Sequence, residues 1–297
     1  MISWRYHLVS IVAIIIALAL GVLAGATVIG DRFVVQLQRN TRDAERRADQ
    51  YYTELTRLQG VVGAAGPFLL QGRLAGQRVV LVTQDPVDLS VLNQVRRSIE
   101  GGAGGDVVAE LVASPNIVNP DRQTQLAELV GRQTTDVTRL PALFASVVAD
   151  RLEFGPGRGT DVLDRASALV SVDPAGVDLS QVGGPGTIVV VFAGGTSRPA
   201  LDPASFLLPL VEALAKQASA PVAVGEPLTS DWGFVKAVRG DGDSIAKGSI
   251  VTVDDLDQSY GGMALVLGLW EMLTTPDGGG DYGVSGNGLL PAPPPSP

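Results

Sequence analysis

Three aspartates at the ends of predicted strands carry oxygen atoms that could bind a hard cation. Asp85 follows the run RVVLVT, and Asp254 and Asp255 follow the run SIVTV. In open parallel sheets, ligands bind outside the carboxyl ends of the strands, where these side chains would converge. Carboxylate oxygens are the ligands that Ca²⁺ and Mg²⁺ prefer. The pattern therefore predicts a metal site at Asp85, Asp254 and Asp255, while aspartates that cap turns or helix starts remain the alternative interpretation.

Two further groups follow the other predicted strands. The turn GGTSR, residues 194–198, could present backbone amides to an anion, and Glu226 could supply another carboxylate. A tight strand exit explains the same glycines without any ligand. The segment DGDS, residues 241–244, contains half of a calcium-loop pattern and lacks the rest, so it is interpreted as a turn.

The cysteine and histidine content excludes several kinds of catalytic and metal centre. The chain has no Cys, and its single histidine, His7, stands at the start of an apolar run. A disulfide framework, a Ser-His-Asp triad, a Cys-His pair, a His-ligated zinc and a haem held by His or Cys are therefore excluded from the globular part. We expect no bound cofactor and no enzymatic activity.

The charge distribution argues against a nucleic-acid partner. Residues 1–60 hold seven Arg and five acidic residues, whereas the rest of the chain holds 15 basic and 26 acidic residues. A domain with this excess of negative charge repels the phosphate backbone of DNA or RNA.

The elements that must position these groups begin with a long apolar run. From Leu8 to Gly30 there are 23 residues without a charge, enough at ~1.5 Å per residue to cross a hydrocarbon core of ~30 Å. The run exceeds the roughly 7 to 15 apolar residues of a cleaved signal peptide, so residues 1–30 are predicted to be a permanent anchor in the lipid bilayer. The arginines that follow favour a cytoplasmic domain, although this rule weakens for long translocated domains.

Residues 31–63 follow a heptad pattern. Positions a and d are Val34, Leu37, Thr41, Ala44, Ala48, Tyr51, Leu55, Leu58 and Val62. This seam predicts a parallel coiled-coil homodimer, because apolar residues that repeat in this way pack against a partner helix. The sizeable interface residues are Val34, Leu37, Tyr51, Leu55, Leu58 and Val62. An amphipathic helix lying on its own domain is the alternative. Gly21 and Gly25 have the spacing of a membrane-helix pairing motif but lie half a turn away from this seam.

Glycines and a proline in the segment GVVGAAGP, residues 60–67, are predicted to end this helix, with a hinge at residues 64–75. From residue 76 to residue 275, apolar runs alternate with helical patterns. Strands are predicted at 78–83, 106–112, 188–195, 221–226 and 249–255. Helices are predicted at 89–100, 121–132, 138–152, 161–170, 203–217, 232–240 and 260–273. This alternation predicts an α/β fold with a mainly parallel sheet covered on both faces.

The order of these parts and two specific segments resemble the actinobacterial MctB family. The segments are the opening MISWRYHLVSIVAIIIALALGVLAGAT and the ending SIVTVDDLDQSYGGMALVLGLWEML, which is followed by DYGVSGNGLLP. Members of this family are called copper transport proteins. The family also includes the corynebacterial envelope-assembly protein SteB. The resemblance implies a Rossmann-like α/β domain at residues 76–290, located outside the cytoplasm. Residues 291–297 then form a Pro-rich tail.

The resemblance also implies a function, and the scarcity of copper-binding residues limits which form of that function we expect. It implies a membrane-anchored cell-envelope protein for copper transport or homeostasis. In the SteB branch it implies a regulator or scaffold of cell-wall assembly and peptidoglycan hydrolysis, with an assembly partner such as SteA. Copper prefers Cys, Met or imidazole ligands, which are scarce here, and Met263 and Met272 lie on different faces of one predicted helix. We therefore expect a structural or assembly component, and a receptor domain for a small molecule or hard cation is a further alternative.

Overall fold

The computed structural model describes residues 4–86, 88–131, 136–157, 159–195, 199–217, 221–240, 250–275 and 278–292, without the side chains at 5, 24–35, 37 and 38. The chain divides into two units, Met1–Leu58 and Gln59–Pro297. The DGDS segment at residues 241–244 lies outside the described residues, as does the end of the Pro-rich tail at 293–297.

Helix α1, Trp4–Leu70, begins in the first unit. The stretch Tyr6–Leu23 has a mean hydropathy of 2.5, and its side chains are exposed. Within the described part of the chain, this is the one helix long and apolar enough to cross a membrane. Burial in a bilayer would remove these side chains from water. The helix therefore supports the predicted anchor.

Helical structure also covers the heptad region, whereas the pairing of two copies stays a prediction. Tyr51, Leu55 and Leu58 are 67%, 53% and 56% exposed, so they are accessible to a partner helix. The side chains of Val34 and Leu37 lie outside the described ones.

The end of α1 differs from the prediction. The helix does not stop in the glycine-rich segment but continues through Pro67 to Leu70. Val62 packs partly, and Leu70 fully, against a core of the second unit. A Cβ on Gly66 would lie only 3.3 Å from the Met263 sulfur, so the helix approaches the domain closely. This packing offsets the low helix propensity of glycine and proline, and the predicted helix end is wrong.

The segment predicted as a hinge, residues 64–75, forms the end of this helix and a turn that packs on the domain. Leu74 is completely buried, and its N–H donates to the Ala103 carbonyl over 3.0 Å. The Arg73 guanidinium lies 3.9 Å from the centre of the Trp270 ring, a cation–π contact. These contacts hold the segment against the rest of the second unit.

A seven-stranded sheet forms the centre of the second unit. Its strands are β1 Arg78–Gln84, β2 Asp106–Ala113, β3 Val170–Asp173, β4 Ile188–Phe192, β5 Val222–Gly225, β6 Ile250–Val253 and β7 Gly280–Tyr282. The spatial order is β3-β2-β1-β4-β5-β6-β7, and neighbouring strands are parallel except for β2 and β3. The order 3-2-1-4-5-6 is that of doubly wound, Rossmann-like sheets. The predicted α/β class with a mainly parallel sheet is confirmed.

Helices cover both faces of the sheet. They are α2 Leu89–Arg97, α3 Gln123–Val130, α4 Leu140–Phe154, α5 Val162–Arg165, α6 Leu207–Gln217, α7 Phe234–Gly240 and α8 Gly261–Thr274. One core lies beneath α3 to α7, and a second lies beneath α2, α8 and the end of α1. The central strand β4 is buried at every position, which explains its continuous apolar sequence IVVVF.

Two short edge strands escape the sequence pattern. The helix predicted at 161–170 is limited to α5, and the chain then forms β3, which pairs antiparallel with β2. Strand β7 has three residues and pairs with β6. Neither VSVD in β3 nor GDY in β7 is a continuous apolar run like those of β4 and β5, and the pairing of these edge strands depends on chain segments that are distant in sequence.

Candidate functional site

The three predicted metal ligands lie along the carboxyl edge of the sheet but not at one place. Asp85 follows β1, whereas Asp254 and Asp255 follow β6. Strands β4 and β5 lie between them, which at ~4.8 Å per strand separates β1 from β6 by about 14 Å. Asp85 is exposed, and Asp255 is completely buried. The structure therefore brings Asp254 and Asp255 together and leaves Asp85 apart.

The helix that follows β1 is capped by its own chain. Asp88 Oδ1 accepts hydrogen bonds from the Ser90 hydroxyl at 2.7 Å, the Ser90 N–H at 3.0 Å and the Val91 N–H at 3.3 Å. The Ser90 hydroxyl is the main reason that the pKa of Asp88 is lowered, so this carboxylate stays charged. In nucleotide-binding sheets of this order, a phosphate occupies the same helix N-terminus. A negative side chain occupies it here, which disfavours a nucleotide.

Close packing explains the groups after β4 and β5. Gly194 has a φ of 111°, and a Cβ there would lie 2.6 Å from the Ser230 hydroxyl oxygen. Ser230 donates that hydroxyl to Glu226 Oε1 over 2.8 Å, and the Val235 N–H donates to Oε2 over 3.0 Å. Both carboxylate oxygens of Glu226 are thus engaged within the domain, one by Ser230 and one by the first turn of α7. The remainder of the predicted anion-binding turn, residues 196–198, lies outside the described residues.

Arg239, on α7, connects the ends of β6 and β7. Its guanidinium donates to Asp254 Oδ2 over 2.9 Å, to Thr252 Oγ1 over 2.8 Å and to the Tyr282 carbonyl over 2.8 Å. Asp281 Oδ1 lies 3.5 Å from the Arg239 Nε and accepts the Thr252 hydroxyl over 2.7 Å. One guanidinium therefore joins three elements through charge-assisted hydrogen bonds.

The same ion pair keeps Asp254 charged. Burial raises the pKa of Asp254, but hydrogen bonds from Ser285 and Arg239 outweigh burial and hold the pKa below its usual value. The Ser285 N–H donates to Asp254 Oδ2 over 2.9 Å, which attaches the turn after β7 to the end of β6. We call the side chains of Arg239, Thr252, Asp254, Asp255 and Asp281 the ionic corner.

Asp255 behaves differently from its neighbour. Burial raises the pKa of Asp255 to about 6, and the charges of Asp254 and Asp257 add to the effect, while the Tyr260 hydroxyl opposes it. Burial, followed by the charge of Asp255, also raises the pKa of Tyr260 to about 12. Asp255 is therefore a buried acid that changes its protonation state near pH 6, beside a carboxylate that does not.

Gly283 occupies the space between the two carboxylates. Its φ is 105°, and a Cβ there would overlap Asp254 Oδ1 and lie 2.9 Å from Asp255 Oδ2. A Ca²⁺ or Mg²⁺ ion needs at least six oxygen ligands at roughly 2.0 to 2.6 Å. Among the described residues, no three His, Cys, Asp or Glu side chains form a group that could hold a metal ion. The packing at Asp254 and Asp255 favours a structural role over a cation site.

The described part of the α/β domain also does not expose side chains that bind copper. Met263 is 4% exposed, and Met272 packs against the same core. His7 lies on α1 in the apolar segment, far along the chain from the sheet. Copper binds in proteins through thiolate, thioether or imidazole groups. The described domain residues therefore do not fit a direct copper site.

The aspartates could be identified from the sequence, but the groups that contact them and shift their pKa values could not. Arg239, Tyr260 and Gly283 come from three separate segments, which only the folded sheet brings together. One signal was available in the pair Gly261-Gly262, because consecutive glycines at a helix start indicate a close approach. A Cβ on Gly261 would indeed overlap the Asp255 carbonyl.

The fold and the ionic corner define a class of protein: a doubly wound α/β domain that follows an apolar N-terminal helix, with a buried ion pair of its own where β6 and β7 end. Residues 1–291 match the model of the family described as "Copper transport outer membrane protein, MctB". The chain therefore belongs to the MctB family, as the resemblance of its two terminal segments predicted.

Similar proteins carry the same family name. The chain is 27% identical over 320 residues to the copper transporter MctB of Mycobacterium bovis and to those of two strains of Mycobacterium tuberculosis. These alignments cover 97% of this chain and 97% of each relative. The family and the apolar helix together indicate a membrane-anchored, copper-related envelope protein.

Proposed function

We propose that this protein serves copper homeostasis as a structural or assembly component of the cell envelope, with its α/β domain outside the cytoplasm. It associates with itself through α1, and a partner protein binds the metal. The observation that carries this proposal is that the relatives are named for copper, while this chain has few residues that could bind it. The relatives are named copper transporters, whereas this chain has no Cys, one His and three Met.

The packing of the methionines supports the proposal. The Met263 sulfur faces Gly66, so this thioether fills the contact between α8 and α1. Met272 contributes to the core on the same side of the sheet. A copper ion could reach Met263 only if α1 moved away from α8, which would expose the apolar side chains buried there.

The exposed heptad residues support self-association. Tyr51, Leu55 and Leu58 recur at the spacing of a coiled-coil seam and are each more than half exposed. A row of exposed apolar side chains is typical of an interaction site. The middle of the seam is weak, because its a and d positions are the small residues Thr41, Ala44 and Ala48. Anchoring in one membrane would hold two copies in parallel at high effective concentration, which favours their pairing.

Copper titration of the purified full-length protein tests the absence of a copper ligand. Competition with a chelator of known affinity, for Cu(I) and Cu(II) separately, should give no site tighter than about 1 μM. The variants Met263→Leu and Met272→Leu should give the same result. A tighter site that disappears in either variant, or in His7→Ala, would refute this part of the proposal.

A complementation experiment tests the assembly role. In a deletion strain, the variant Leu55→Lys/Leu58→Lys should lose both the dimer and copper resistance, while Thr53→Lys, on the opposite face of α1, should retain both. Affinity purification from membranes should recover the copper-binding partner with the native chain. Recovery of a cell-wall partner such as SteA, together with normal copper resistance of the deletion strain, would favour the SteB-like role instead.

A further inference from the structure

A cavity of about 400 Å³ opens at the carboxyl edge of the sheet, away from the ionic corner. It lies between the turn after β2, α3, the start of α4 and the turn that precedes α6. Its walls include Ile117, Leu126, Leu140 and Pro141, and its rim includes Val118 and Val137. Both rim valines are 43% exposed, so the apolar surface is accessible from solvent.

Two polar groups of the lining are available to a ligand. The Thr138 hydroxyl is engaged, because it donates to Asp136 Oδ1 over 2.6 Å. Among the described residues, neither the side-chain amide of Gln123 nor the hydroxyl of Ser205 has a hydrogen-bond partner, and both residues line the cavity. An apolar pocket with a few such groups is the usual form of a small-molecule site.

Among the described residues that line the cavity, none has a charged side chain, although the domain as a whole is rich in acidic residues. An ionic ligand would lose its hydration here without gaining a counter-ion, which is unfavourable. An uncharged ligand loses much less. The cavity therefore favours uncharged ligands over ionic ones, whatever their shape.

We propose that this cavity binds an uncharged, largely apolar small molecule that carries at least one hydrogen-bonding group. Its volume lies within the ~300 to 1,000 Å³ of ligand pockets. Its place at the carboxyl edge of a doubly wound sheet is where such folds bind ligands. The proposal is independent of the assembly role, since it concerns a different surface of the domain.

The natural absence of cysteine allows a direct test by disulfide capture on the full-length protein. Ser205→Cys places a thiol in the cavity with little change of shape. Ser146→Cys is the matched control, because Ser146 lies in a groove between α4 and α6 that also contains Arg139, Glu212 and Lys216. Each variant is equilibrated with a neutral benzyl amide disulfide and with carboxylate and ammonium analogues of similar size, at increasing concentrations of reductant.

The neutral disulfide should survive about tenfold more reductant at Ser205→Cys than at Ser146→Cys, and about tenfold more than either charged analogue at the same site. Adding Gln123→Leu should reduce the preference about fivefold, the loss expected for one hydrogen bond. Adding Ala204→Trp, which fills the cavity, should abolish it, with near-UV circular dichroism confirming that the domain remains folded. Equal capture at both cysteines, a preference for a charged analogue, or full capture in the filled variant would each overturn the proposal.

Discussion

Arg239 and Asp254 form an ion pair, with 2.9 Å between Nη1 and Oδ2, where β6 leaves the sheet. Their side chains are only 14% and 12% exposed, so the pair is shielded from solvent. Because the same guanidinium also binds the Tyr282 carbonyl, it links α7 to both β6 and the edge strand β7. Several elements of the domain therefore depend on one buried charge.

Replacement of Arg239 by leucine should lower the free energy of unfolding by about 3 kcal/mol. The substitution leaves Asp254 charged and buried without its counter-ion, which is costlier than the loss of a surface ion pair. Thermal unfolding of the full-length protein, followed by near-UV circular dichroism, measures the effect. Lys236→Met on the exposed side of α7 is the control and should change stability by less than about 0.5 kcal/mol. Equal effects of the two substitutions would contradict a structural role of the ion pair.

Asp255 should make the domain more stable at pH 5 than at pH 7.5. Its pKa in the folded protein is about 6, against an ordinary value of 3.8. The folded state therefore holds the proton more tightly, so the stabilisation is complete below pH 3.8 and is lost as the pH rises through 6. Between pH 5 and pH 7.5 the expected loss is about 1 kcal/mol, after allowance for solvent screening.

The variant Asp255→Asn isolates this contribution from those of other acids. It should unfold at a higher temperature than the native chain at pH 7.5, and the difference between the two proteins should shrink at pH 5. Asp231→Asn, at an exposed position after β5, should show no such convergence. If the native protein and Asp255→Asn respond identically to pH, Asp255 does not titrate in this range.

Replacement of Arg151, near the end of α4, by methionine should destabilise the domain by about 3 to 5 kcal/mol. Arg151 binds Asp161 at 2.6 Å, with side-chain exposures of 4% and 13%, and it also donates to the Val182 and Leu179 carbonyls. Urea unfolding of the full-length protein measures the change. Arg165→Met, at an exposed position on α5, serves as the control and should have little effect. A small effect of Arg151→Met would show that repacking compensates for the lost charge.

Gly283→Ala should be much more destabilising than Gly72→Ala. Both glycines have positive φ, 105° and 72°, so both substitutions strain the backbone. A Cβ at position 283 would also overlap Asp254 Oδ1, whereas nothing lies within 4 Å of a Cβ at position 72. We expect a loss of about 1 kcal/mol for Gly72→Ala and of about 3 kcal/mol for Gly283→Ala. Similar melting temperatures of the two variants would mean that the ionic corner can rearrange around a methyl group.

The fold class could be predicted because its signals are local. The segments VVLV in β1 and IVVVF in β4 are continuous apolar runs, since these strands are buried on both faces, and helical patterns separate the strands. The end of α1 shows where local signals fail. Glycine and proline favoured a stop, but the contact between Gly66 and Met263 and the burial of Leu70 extend the helix. Tertiary packing outweighs propensity at this point.

By itself, the sequence determined which chemistries are absent, where an apolar helix could span a membrane, and that strands and helices alternate, because composition and periodicity are properties of short segments. Only the tertiary structure decided which charged groups meet. Asp85 and Asp254 both follow strands, yet two intervening strands separate β1 from β6 in the sheet. Arg239 and Gly283, whose importance no spacing revealed, lie against Asp254. The order of strands depends on contacts between distant segments. In the order that forms, Asp85 lies apart, Asp254 belongs to a buried ion pair, and Asp255 is a buried acid.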